Sequence, residues 1–289
     1  MIYLTANEIS MPILGLGTYK IKSFDLCYNV VENALKYGYR MFDTAQVYKN
    51  EEDLGKSFEI ILPKLNLKRE DIFIITKIAT YNHADKCYES IKKSMENLRT
   101  KYIDMVLIHW PGVKGFKLDD KRNLEYRIKT YKELERAYTE GLIRSIGISN
   151  YNLKHLEELF TYCTIKPVLL QSEFHPLLIQ NDLTNFCKKH GMIFQAYSSL
   201  GTSDAESTKK LVDNETIKNI AKKHGKTSAQ ILLKWAVQQN ISVIPKSSQV
   251  SHLRDNIDIF DFNLDEQDVD LINKLDRNLH LCWNPDTVL

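Results

Sequence analysis

The chain has 289 residues, 43% hydrophobic and 26% charged, the composition of a soluble globular protein rather than a disordered or membrane one. Lys and Arg number 39 against 37 Asp and Glu, so a net charge of +2 creates no strong field toward nucleic acid or an anionic membrane surface, and any basic site is local. The opening "MIYLTANEISMPILGLG" lacks the basic start and long apolar core of a signal peptide, and no apolar run approaches the roughly 18 residues of a membrane span, which makes a cytoplasmic location the expectation.

Taken in chain order, short apolar runs alternate with longer amphipathic stretches. Strands are expected at 13–17, 40–43, 72–77, 103–109, 143–149, 168–171, 192–197 and 242–246. Helical patterns fall at 24–37, 50–62, 84–99, 121–140, 152–163, 180–190, 213–223 and 227–239, with two more at 249–258 and 265–275 after the last strand. Asn152, Asp182 and Thr227 read as N-caps, and Asn50 as the cap of the second helix, with Glu51 and Glu52 favourable in its first turn. Eight β/α units without a linker or low-complexity segment point to a single (β/α)8 barrel domain over residues 1–289. The rival, a doubly wound dinucleotide-binding fold, needs a GxGxxG turn; the one candidate, "GLGTYK", lacks the third glycine.

In such a barrel chemistry sits at the C-terminal strand ends. Those ends carry Asp43, Lys77, His109, Ser149 and Asn150, Gln171, Tyr197, and Lys246 with Ser247. Each alone has an ordinary reading: Asp43 as a turn cap, Lys77 as a solvated strand end, His109 as a satisfied core histidine, Tyr48 as a half-buried aromatic. Together these readings weaken, because aspartate, lysine and histidine end three consecutive strands. Five cysteines (Cys27, Cys87, Cys163, Cys187, Cys282) are odd in number and form no CxxC pair, which argues against a disulfide framework or a zinc site, and "HWP" and "EFHP" are not metal-ligand motifs. Glu173 and His175 in the latter read as structural.

The ordered motifs "MPILGLGTYK", "GYRMFDTAQVYKNEEDLGKS", "TKI", "IHWPG", "GLIRSIGISNYN", "QSEFHP", "AYSSLG" and "IPKSSQVSHLRDNIDIFDFNL" resemble those of the aldo-keto reductases over essentially the whole chain. The resemblance implies a (β/α)8 barrel with an N-terminal β-hairpin and extra C-terminal helices. It implies an NADPH-dependent reductase of small-molecule carbonyl substrates, monomeric, with no nucleic-acid or membrane partner and no metal. Asp43, Tyr48, Lys77 and His109 would be catalytic. A free phenol has a pKa of about 10 and donates its proton reluctantly. An ammonium from Lys77, held by Asp43, is expected to lower the pKa of Tyr48, the general acid, while His109 orients and polarises the carbonyl oxygen.

For the cofactor, the resemblance places Ser149, Asn150 and Gln171 on the nicotinamide carboxamide and Tyr197 against the ring. Ser198 and Leu200 would line the pyrophosphate path, Thr18 would touch the cofactor from the first strand's loop, and Asp43 would reach it from the end of the second strand. Lys246 and Ser247 would meet the 2′-phosphate, with His252, Arg254, Asp255 and Asn256 around phosphate and adenine. Here His252 stands where relatives usually have arginine, so recognition weakens unless Arg254 swings round. The substrate pocket would be built from Tyr19, Val47, Tyr48, His109, Trp110, Phe116 and Trp283. Many relatives have tryptophan two residues after the lysine; here it is Ala79, which suggests a wider pocket or one closed by Tyr81. Two alternatives stay open: the NADP-dependent alcohol or steroid dehydrogenase direction, and a non-catalytic NADPH-binding barrel.

Overall fold

The computed structural model describes residues 2–202 and 211–289. It opens on an antiparallel hairpin of β1 (Tyr3–Ala6) and β2 (Ile9–Pro12), whose two-residue turn has both Asn7 and Glu8 at positive φ, 45° and 66°. That geometry matches the right-handed twist of the strands.

Eight parallel strands follow: β3 (Leu16–Gly17), β4 (Met41–Asp43), β5 (Phe73–Ile78), β6 (Met105–Ile108), β7 (Ile146–Ser149), β8 (Leu169–Glu173), β9 (Ile193–Tyr197) and β10 (Ser242–Val243). Each pairs with its sequence neighbour, and bridges from Leu14 to Val243 and from Gly17 to Lys246 join first to last, so the sheet closes into a barrel. Closure is tight: a Cβ on Gly17 would stand 2.6 Å from the Ile244 carbonyl oxygen. The expected strands are all present. The regular ladders are shorter at 103–109 and 143–149, where Ile103 and Ile143 meet as an isolated bridge.

The two-residue period of the strands sorts their side chains. Phe42 points outward onto Phe58, the ring centroids 5.0 Å apart. Met41, Ile75, Met105, Leu107, Leu169 and Ile193 fill the lower barrel interior, which Ala6 and Met11 of the hairpin close from below. One step higher on the inward faces stand Asp43, Lys77, Gln171 and Gln195. A dry apolar layer thus supports a polar one.

Around the barrel run α1 (Phe24–Lys36), α2 (Glu51–Lys64), α3 (Cys87–Asn97), α4 (Arg122–Thr139), α5 (Leu153–Tyr162), α6 (Asn181–Lys189), α7 (Glu215–His224) and α8 (Ser228–Val237), then α9 (Val250–Ile257) and α10 (Glu266–Asn273). Asn152 and Thr227 cap α5 and α8 by accepting from His155 N and Gln230 N. Two cap expectations are corrected. The cap position of α6 is Gln180, whose amide is tied to Ser172 and the Glu173 carbonyl of β8, so the helix starts before Asp182. Asn50 occupies the cap of α2, but its side chain donates to the Thr18 and Ile21 carbonyls and accepts from Thr44 Oγ1, joining the loops after β3 and β4. Glu51 is buried and accepts from Thr76 and Ser94 instead of facing water. Cys27, Cys87 and Cys187 are buried thiols; Cys163 and Cys282 are half-buried. No described helix is long and apolar enough to cross a membrane.

Candidate active site

Asp43 ends β4 and Lys77 lies near the end of β5, so adjacent parallel strands bring both inward at one level. Lys77 Nζ is 2.6 Å from Asp43 Oδ1 and donates to the Thr44 carbonyl at 2.9 Å. Both side chains are almost fully buried, 1% and 3% exposed, so the pair persists only because each charge has the other. Burial pulls the lysine down from its ordinary value, and Asp43 opposes that shift.

A single 3-10 turn, Gln46–Tyr48, lies in the loop after β4, and Lys49 leaves it in the left-handed region at φ 56°. Gln46 fastens this turn: its amide oxygen accepts from Ala79 N and Asn82 Nδ2, and its amide nitrogen donates to Ser90 and Ser94. The turn delivers Tyr48 Oη to 3.4 Å from Lys77 Nζ. His109, just past β6, meets the Tyr48 ring edge-on, centroids 5.9 Å apart. Four residues from three strands and a loop therefore share one point.

The electrostatics correct one expectation. The Tyr48 phenol is raised well above its ordinary value, first by burial and then by the negative charge of Asp43. Desolvation of a phenolate outweighs the help of an ammonium whose charge Asp43 already balances. The Tyr48 proton is therefore firmly held. His109 goes the other way: burial, and then the positive field of Lys77, hold it well below the ordinary imidazole range, so it is neutral. A neutral imidazole has one N–H to donate and no charge to repel Lys77.

On the far side of the mouth, Ser149, Gln171 and Tyr197 stand on β7, β8 and β9, and Asn150 follows directly after β7. Asn150 adopts φ 62°, a left-handed conformation that asparagine tolerates. Its amide donates to the His109 carbonyl at 2.8 Å and to Ser149 Oγ at 3.1 Å, and accepts from Tyr197 Oη at 2.6 Å. Asn150 thus ties β6, β7 and β9 together, and its amide is committed. Ser149 Oγ donates to none of the described residues. Gln171 Nε2 donates to Asp43 Oδ2 at 2.8 Å and to Gln195 Oε1 at 2.7 Å; its Oε1 accepts from none of the described residues.

The outer rim is aromatic. Tyr19 lies 5.1 Å from Tyr48, and Trp110 lies 4.5 Å from Trp283, centroid to centroid. Val47 and Tyr19 are exposed, 39% and 52%. Phe116 turns to α4, edge-on to Tyr126 at 5.0 Å and beneath Arg122. Ala79 is buried, while Tyr81 is 42% exposed with Lys114 Nζ 5.6 Å over its ring.

Trp283 owes its place to Glu173, whose Oε1 accepts from Leu281 N at 2.7 Å and Cys282 N at 3.1 Å and lies 3.0 Å from His175 Nε2. Its Oε2 lies 3.2 Å from His280 Nδ1. Further on, His155 Nε2 lies 3.0 Å from the Val288 carbonyl, and fully buried Arg127 donates to the Leu289 carbonyl at 2.6 Å.

The residues expected from sequence at the cofactor's other end are spread along the loop after β10 and α9. Thr18 Oγ1 donates to the Asp43 carbonyl at 2.9 Å. Ser198 sits at φ 54° with Oγ 3.4 Å from Cys282 Sγ, and Leu200 is half-buried beside it. Lys246 and His252 are exposed, Ser247 is buried, and Asn256 is buried in α9. Arg254 bends to its neighbour Asp255 at 3.4 Å. Two residues apart on a helix, His252 and Arg254 face different directions. Glu173, read as structural from sequence, does hold the 281–282 segment, whereas sequence reasoning does not single out Gln46 or Gln195 as supports of the site. Gln195 carries one available signal, a lone amide inside the apolar run "IFQAY".

The sequence model of the Aldo/keto reductase family matches residues 13–277. Glyoxal reductase of Bacillus subtilis is 39% identical over 287 residues, 98% of this chain and 95% of that protein. The NAD(P)H-dependent D-xylose reductase of Scheffersomyces stipitis is 39% identical, with 96% of this chain and 95% of that one covered. Among solved structures, MGS-M4, an aldo-keto reductase enzyme from a Medee basin deep-sea metagenome library, superposes with a TM-score of 0.87 at 38% identity, covering 97% of each chain.

Proposed function

The chain belongs to the aldo-keto reductase family and is an NAD(P)H-dependent oxidoreductase of carbonyl compounds, and from this premise we propose that it reduces aldehydes and some ketones to alcohols with NADPH, Tyr48 donating the proton. The observation that carries the reading is the meeting of Tyr48 Oη with Lys77 Nζ at 3.4 Å beside neutral His109. His109 donates a hydrogen bond to the carbonyl oxygen and orients it. As negative charge develops there, Tyr48 passes its proton to that oxygen, and the Lys77 ammonium faces the phenolate that forms. Asp43 keeps Lys77 within reach.

The groups present fit a nicotinamide: a half-exposed Tyr197 ring supplies a flat apolar surface, Ser149 retains a donor and Gln171 an acceptor for its carboxamide. When bound, the reduced cofactor supplies the hydride. Lys246 and Ser247, with His252 nearby, are the residues that would receive a 2′-phosphate.

The test is the loss of NADPH absorbance with a panel of aldehydes, ketones and quinones. Turnover with reactive aldehydes is expected, with NADPH preferred over NADH by at least about tenfold in kcat/KM, or about 1.4 kcal/mol. Tight NADPH binding without turnover would favour a non-catalytic barrel, and equal activity with NADH would remove the cofactor assignment.

A further inference from the structure

Three consecutive strands carry polar side chains into the same layer of the barrel interior. Gln171 on β8 is the register partner of Gln195 on β9, and Gln195 of Ser242 on β10. All three are buried, with Gln195 and Ser242 wholly so. They form one hydrogen-bonded line that ends on the catalytic pair. Ser242 Oγ accepts from Gln195 Nε2 at 3.0 Å, Gln195 Oε1 accepts from Gln171 Nε2 at 2.7 Å, and Asp43 Oδ2 accepts from the same Gln171 Nε2 at 2.8 Å. The other oxygen of Asp43 holds Lys77 at 2.6 Å.

The line has a sense of direction. A carboxylate only accepts, so Gln171 must turn its NH2 toward Asp43. The second hydrogen of that NH2 then meets Gln195, which must offer its oxygen; Gln195's own NH2 is left for Ser242, with the Met41 sulfur 3.7 Å from the same nitrogen. Reversing Gln195 would set two NH2 groups against each other in a dry interior, where unpartnered donors are strongly disfavoured. Gln171 is therefore held in one of its two amide orientations, with Oε1 as its uncommitted atom.

We propose that Gln195, backed by Ser242, is a positioning residue: Asp43 sets which way the Gln171 amide faces, and Gln195, holding its second N–H, fixes the plane in which Oε1 is presented as an acceptor to the carboxamide NH2 of the nicotinamide cofactor. The proposal rests on the reading that the nicotinamide sits at Ser149 and Gln171. Gln195 touches neither cofactor nor substrate; it acts through Gln171.

The experiment compares equilibrium binding of NADP+ with that of its 3-acetylpyridine analogue, which keeps the carbonyl but has a methyl in place of the NH2. Calorimetric titration is made on the wild type, Gln195→Leu and Ser242→Ala, without turnover. The wild type is expected to favour NADP+ by about tenfold, the scale of one well-placed hydrogen bond. In Gln195→Leu the Gln171 amide keeps its sense through Asp43 but loses the second bond that fixes its plane, so Oε1 is no longer held on the carboxamide NH2 and the ratio should fall to within about threefold, with the affinity for adenosine 2′,5′-bisphosphate unchanged. General loosening would weaken both dinucleotides alike and leave the ratio standing. A wild type that discriminates beside a Gln195→Leu that discriminates equally would overturn the positioning role and leave the cofactor reading intact. A wild type that binds NADP+ without discriminating would remove the Gln171 contact, and the proposal with it, and one that does not bind NADP+ would overturn both. Should Gln195→Leu fail to fold, Ser242→Ala tests the same point: a lowered ratio supports the role and an unchanged one ends it.

Discussion

Tyr48 Oη and Lys77 Nζ stand 3.4 Å apart, and Lys77 Nζ lies 5.1 Å from the centroid of the Tyr48 ring. The ammonium thus faces the phenol oxygen while its tightest contact is with Asp43. Such an arrangement stabilises charge as it forms on the oxygen rather than stripping the proton beforehand. Tyr48→Phe removes the proton and leaves the ring, so reduction should fall by about a hundredfold or more, the usual scale for a positioned general acid. NADPH affinity, read by fluorescence titration, should be nearly unchanged. Activity that survives the substitution would mean another group donates.

Three shifted groups, Tyr48, His109 and Lys77, set the pH profile of kcat. The raised phenol keeps its proton through and beyond pH 10, so the acid form is lost only as pH climbs past that raised value. The depressed His109 gains a proton only well below pH 6.5. The rate of reduction should therefore show no limb near pH 6.5, and its alkaline limb, set by the lowered Lys77, should precede the loss of the Tyr48 proton. A limb centred near 6.5 would contradict a neutral His109.

Acid should destabilise the fold through buried histidines. Among the described residues His83 has no hydrogen-bond partner on either ring nitrogen, and burial lowers it to about 4; burial and Arg127 likewise lower His155 to about 4. A depressed folded value means that the unfolded chain takes the proton first. Stability is thus complete above pH 6.5 and is lost as pH falls toward 4, by about 3 kcal/mol per histidine over the whole window. His83→Leu should flatten the fall of Tm between pH 7 and pH 5, as measured by calorimetry. An unchanged slope would exclude His83 as a contributor.

Glu173 holds the segment that carries Trp283 by two backbone N–H groups and His280. Glu173→Ala should release that segment from the mouth. The expected result is a KM for aromatic aldehydes raised by about tenfold, an apolar contact worth about 1.4 kcal/mol, with a smaller change in kcat. A fall in kcat at constant KM would place Glu173 in the chemistry instead.

The barrel itself was legible because eight apolar runs and their amphipathic partners repeat in strict order, and a parallel sheet of that length has few ways to hide both faces. Asp43, Tyr48, Lys77 and His109 were legible because strand ends in a barrel share one face. The two cap assignments failed for a shared reason: Asn50 and Asp182 sit where local rules place a cap, but Asn50 is recruited by the loop after β3 and Gln180 is tied to β8, and such tertiary contacts are invisible in a local window.

By itself the sequence determined which residues point inward and which strand end each one tops, since that follows from a period of two and from order along the chain. Only the closed structure decided how those residues affect one another. Desolvation raised Tyr48 against the expected direction, and the carboxylate of Asp43 set the amide sense of Gln171 and Gln195 across the barrel. Both effects depend on burial and on atoms far apart in sequence brought within hydrogen-bond reach, quantities that exist once the sheet has closed.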